Sequence, residues 1–113
     1  MTGLGMPKPK RVGPPDVAPA TVDGIRFEAI HWGRERGLGQ NGGYVAAIDP
    51  ASGKELWVAQ VYVIEYVPKL ETDVQDIFIE KLEPGAKGEL KVVDERGRRF
   101  VLNIAKRTAT PAK

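Results

Sequence analysis

The chain has 113 residues, a formal net charge of +2, one histidine and no cysteine. Its length suits a single domain, and the lack of thiols excludes disulfides, thiolate metal sites and a cysteine nucleophile, leaving apolar burial as the main source of stability. A lone imidazole also excludes any site built on several histidines.

Residues 1–22 contain Pro7, Pro9, Pro14, Pro15 and Pro19 with Gly3, Gly5 and Gly13, and show no apolar period before Val22. Such a stretch cannot bury enough surface to offset its ordering entropy, so it is predicted to be a disordered tail, and residues 105–113 a second one. The two tails hold Lys8, Lys10, Arg11, Lys106, Arg107 and Lys113 against Asp16, a charge of +5 that leaves the body, residues 23–104, at −3. Residues 1–10 lack the apolar segment of a secretory signal, and the longest apolar run, 61–64, is far too short to cross a bilayer. The expectation is a soluble, cytoplasmic protein with no membrane contact.

Within the body, Ile25, Phe27 and Ala29 alternate with Arg26, Glu28 and Ile30, the two-residue period of a strand over residues 25–32. Gly33 stops it. Residues 34–43, with Gly37, Gly39, Gly42 and Gly43, predict an irregular loop, and Tyr44–Ile48 a short strand. Asp49, Pro50, Gly53 and Lys54 then form a strong turn signal, with Pro fixing φ and Gly free to take positive φ. The partner strand is predicted over 55–67, ending where Pro68 withholds a main-chain donor. Apolar residues lie on both its faces, as in a central strand or one that bends at a bulge.

Residues 69–73 read as a polar connection. Residues 74–82 fit a strand through Ile77 and Ile79, and a helix through Val74, Ile77, Phe78 and Leu82; β-branched content favours the strand. A Pro-Gly turn over 83–88 leads to a second hairpin, 89–93 with 99–104 across Asp94, Glu95, Arg96 and Gly97. The predicted fold is mainly β: a small antiparallel meander of five to six strands, curled into a barrel or sandwich.

The segment Tyr44-Val-Ala-Ala-Ile-Asp-Pro-Ala-Ser-Gly-Lys-Glu-Leu-Trp57 resembles the inner hairpin of one blade of the quinoprotein-type β-propellers, in which a strand ending in Ala-x-Asp turns through Ser-Gly-Lys onto a strand closing on Trp. The resemblance is local, and the blade repeats that a propeller needs are missing. It implies a tight hairpin, with Trp57 packed beside the turn and Asp49 bonding back to turn amides; it does not bring quinone binding with it.

The most unusual stretch is 31–43. His31, Trp32, Arg34, Arg36, Gln40 and Asn41 place an imidazole, an indole, two guanidinium groups and two amides in a Gly-permissive loop. Such groups stack on and hydrogen-bond a partner's surface, and these six are the candidate binding residues. The glycines lack the strand-turn-helix setting of a dinucleotide fingerprint, and no Gly-Lys-Ser/Thr cradle occurs, so no cofactor is expected. Ser52 is the only serine and belongs to the turn, which leaves no nucleophilic triad and no catalytic residues. Glu65, Glu71, Asp73 and Asp76 form a carboxylate-rich patch with no metal-loop spacing and read as solvated charges, and Arg96, Arg98 and Arg99 as a solvated turn. Tyr62, Tyr66 and Phe78 read as core, or as an aromatic platform if one face stays open.

The leading expectation is a non-catalytic module that binds a protein through the 32–41 loop and an edge strand, with self-association open to it. A second reading is a small nucleic-acid-binding barrel with Trp32, Arg34 and Arg36 as readers. A third is an enzyme or accessory subunit using His31 as acid and base.

Overall fold

Alternating apolar side chains do become pleated strands, and turn chemistry sets their limits. The computed structural model describes residues 13–68 and 75–112. Eight strands run in the order β1 (Ala20–Val22), β2 (Ile25–Ile30), β3 (Tyr44–Ile48), β4 (Glu55–Gln60), β5 (Ile79–Pro84), β6 (Glu89–Asp94), β7 (Arg99–Asn103) and β8 (Thr108–Ala112). One short 3-10 helix, Gly33–Arg36, interrupts them. The strands form two four-stranded antiparallel sheets, β1-β2-β3-β4 and β5-β6-β7-β8, each a simple meander.

The first sheet begins with a two-residue hairpin. Val22 pairs with Ile25, and Asp23 and Gly24 between them have φ of 52° and 78°, the mirror-image turn whose twist matches that of the flanking strands. Asp49 closes the β3–β4 hairpin: its carbonyl accepts from the Gly53 amide at 2.7 Å, and its carboxylate accepts from the Ala51 amide and the Ser52 hydroxyl. In the second sheet, buried Asp94 accepts from the amides of Arg96 and Arg98 at 2.9 Å and from the Arg98 guanidinium at 2.6 Å.

Phe27, Val45 and Ala47 from the first sheet and Ile79, Leu90, Val92 and Leu102 from the second meet in one core. β1 and β2 lie against β5, and β4 lies against β8. Trp57 packs edge-on to Phe27 at 5.8 Å, with the Arg107 guanidinium 5.0 Å over its ring. The far face of the first sheet carries a smaller apolar cluster of Ile30, Tyr44 and Ala46, onto which Leu38 of the 33–43 loop folds.

Several expectations are corrected. Among the described residues there are eight strands instead of five to six, and the two sheets do not join into a closed barrel. Strands occur at Ala20–Val22 and Thr108–Ala112, in segments whose composition reads as tail; cross-strand pairing with β2 and β7 supplies the order their own hydrophobicity does not. β4 ends at Gln60 and not at Val67. Of the stretch 74–82, Val74 lies outside the described residues; in the rest the strand form prevails, but it begins only at Ile79 and continues to Pro84, which shortens the following turn. The expected connection at 69–73, and residues 1–12 of the first tail, lie outside the described residues. No helix among the described residues is long and apolar enough to cross a membrane.

Candidate functional site

β2 delivers His31 and Trp32 to the end of the first sheet, and the loop that follows doubles back under tight steric control. A Cβ on Gly33 would lie 2.2 Å from the Gln40 carbonyl oxygen, and one on Gly42 would lie 2.4 Å from that of Ile77. Only glycine lets these backbones approach so closely. The glycine content that reads as looseness in sequence therefore serves close packing.

Gln40 is the keystone of this packing. It is buried; its amide nitrogen donates to the carbonyls of Gly42 and Tyr62 at 2.8 and 2.9 Å, and its oxygen accepts from the Ile64 amide at 2.8 Å. The loop is thereby tied to the segment that leaves β4 for the second sheet. The Tyr44 hydroxyl accepts from the amides of Gly39 and Gln40. At the other end of the loop, both carboxylate oxygens of Glu55 accept from Arg36 Nη2, at 2.5 and 2.7 Å.

A second network lies beside it. Asp76 is 3 % exposed and accepts from Asn41 Nδ2 at 3.0 Å and from the Tyr66 hydroxyl at 2.6 Å. The Asn41 side-chain oxygen accepts from the Arg34 amide, and the Arg34 guanidinium sits 4.8 Å over the Tyr66 ring. Burial, and after it the hydrogen bond donated to Asp76, push the Tyr66 hydroxyl up to about 12. Burial likewise raises Tyr62, whose hydroxyl donates to the Ile77 carbonyl at 2.6 Å.

Phe78, almost fully buried, supports the exposed end of the site: His31 and Trp32 stand edge-on to its ring at 5.2 and 5.8 Å. His31 Nε2 lies 2.9 Å from the Pro15 carbonyl and donates to it, so Nδ1 holds the lone pair; among the described residues Nδ1 has no hydrogen-bond partner. Burial lowers the pKa of His31 below its ordinary value, against the opposing pull of the Pro15 carbonyl, Glu95 and Asp16. Trp32 keeps 47 % of its surface in solvent.

The six loop residues thus divide by role. His31, Trp32, Arg34 and Asn41 gather around Phe78, Tyr66 and Asp76. Gln40 is a buried internal brace, and Arg36 is turned away to Glu55. Asp76 corrects the solvated-carboxylate reading, since it is buried and hydrogen-bonded; Glu71 and Asp73 of that patch lie outside the described residues. Arg98 is likewise no simple solvated charge, because it closes on Asp94. Tyr66 and Phe78 belong to the site through aromatic contacts, and Asp76 gave no signal in sequence beyond its charge. Among the described residues no group of three or more His, Asp or Glu side chains could hold a metal ion. No family model, curated protein or solved structure matches this chain.

Proposed function

We propose that this protein is a non-catalytic β module that binds a protein partner through the surface formed by Trp32, Arg34 and Tyr66. The observation that carries this reading is Trp32, nearly half exposed yet fixed edge-on against buried Phe78. A large apolar side chain held rigid in solvent loses little entropy when covered, and Trp, Tyr and Arg are the residue types that dominate binding hot spots. Arg34, stacked on Tyr66, extends the same surface with a cation.

Two observations weigh against the rival readings. Arg36, one of the three expected nucleic-acid readers, already has its charge offset by Glu55. His31 makes its hydrogen bond to a carbonyl rather than to a carboxylate, so no acid and base pair supports it.

The test is affinity capture from the source cells with wild type, Trp32→Ala and Arg34→Ala as baits, followed by titration of the purified partner. A protein held by wild type, and bound at least about 10-fold more weakly by Trp32→Ala, is expected. Equal binding by all three baits, or retention of nucleic acid alone, overturns the reading.

A further inference from the structure

Residues 61–67 carry the chain from β4 toward the second sheet without a ladder of their own, yet from Tyr62 onward they alternate as a strand does. Tyr62 and Ile64 are buried, while Val63, Glu65 and Val67 are exposed. Gln40 occupies the Tyr62 carbonyl and the Ile64 amide, whereas the main-chain groups of Val63 and Glu65 have no hydrogen-bond partner among the described residues. Val63 and Val67, at 66 % and 52 %, are the most exposed of the large apolar side chains described. Alongside runs a shallow groove of about 580 Å³, whose walls include Val63, Val67, Gln75, Ile77, Arg96 and Arg98.

An extended edge with open main-chain groups and β-branched side chains is a template for another strand; here the open groups are those of Val63 and Glu65, while the Gln75 side chain closes the amide and carbonyl of Val67. Charge identifies the occupant. Glu65 and Arg96 are both exposed on this groove, and neither has an ion-pair partner among the described residues. An acid and a base that border one groove without meeting are complementary to themselves under a two-fold rotation.

We propose that the occupant is a second copy of this chain, paired antiparallel about an axis near Ile64. Val63 of each copy then exchanges main-chain hydrogen bonds with Glu65 of the other, and Val63 and Val67 of each enter the opposite groove. Glu65 of one copy meets Arg96 of the other, and the contact occurs twice. Tyr66 of the Trp32 surface lies between Glu65 and Val67, but the Glu65 and Arg96 variants leave Trp32, Arg34 and Tyr66 unchanged, so the charge-swap test reads the dimer separately from the proposed partner binding.

Sedimentation over about 1 μM to about 1 mM protein tests this, since an interface of strand size has an affinity within that range. Wild type is expected to pass from monomer to dimer. Glu65→Arg and Arg96→Glu each set like charges together twice and are expected to weaken the dimer at least about 10-fold. The double variant, and an equimolar mixture of the two single variants, are expected to recover it, because each restores both opposite-charge contacts. Wild type that stays monomeric, assembly that continues past the dimer, single variants that associate like wild type, or a mixture that fails to recover overturns the proposal.

Discussion

Replacing Gln40 with leucine would keep its volume while removing both ends of its carboxamide, leaving the Ile64 amide buried without a partner. The expected cost is about 2–3 kcal/mol, read as a lower urea midpoint with unchanged slope. His31 carries a separate expectation. Its folded pKa lies below that of the unfolded chain, so the unfolded state binds the proton more readily. Its contribution is therefore complete above about pH 6.5 and is lost as pH falls through the folded value. Urea midpoints measured between pH 7 and pH 5 should fall with pH, and His31→Phe should flatten that slope. A His31 NMR titration midpoint at or above the unfolded value would refute it. Both residues were visible in sequence as members of an unusual loop, but their roles were not. Gln40 acts through Tyr62 and Ile64, about twenty positions away, and composition carries no trace of that pairing.

Strands were legible where a two-residue apolar period coincided with strong turn chemistry. β2, β3, the turn at Asp49 and the hairpin of β6 and β7 follow directly from the sequence. β1 was missed although Asp23 and Gly24 form one of the strongest short hairpin signals, because three residues are too few to show a period. The extended reading of 55–67 failed in an instructive way. Alternation resumes to Val67 only after slipping by one residue at Val61 and Tyr62, both buried, and the ladder stops just before that slip, at Gln60: side-chain period reports burial, not main-chain pairing. β8 is the hardest case, since Ala109, Thr110 and Pro111 resemble linker, and a proline is tolerated there because β8 is an edge strand. Deleting residues 105–113 tests its contribution. Loss of the β7–β8 ladder and of Arg107 over Trp57 should cost about 3 kcal/mol and lower Tm by roughly 10–20 °C. A true tail would leave Tm unchanged.

The main core draws on both sheets, and only the smaller cluster of Ile30, Tyr44 and Ala46 belongs to the first sheet alone. The site inherits this dependence. His31, Trp32, Arg34 and Asn41 come from the first sheet's loop, while Tyr66, Asp76 and Phe78 lie on the stretch between the sheets, and Glu95, which accepts from the Phe78 amide, follows β6. A partner bound at Trp32 should therefore raise Tm, and the rise should continue with the logarithm of free partner concentration above its Kd.

Each sheet is a single uninterrupted stretch of chain, β1 to β4 and then β5 to β8, with no strand exchanged between them. Severing the backbone between Gln60 and Ile79 would thus divide the protein along a natural seam into two fragments, each carrying half of the shared interior. Mixed together, the fragments should reassemble into a native-like complex while each alone stays unstructured, a complementation readable by circular dichroism.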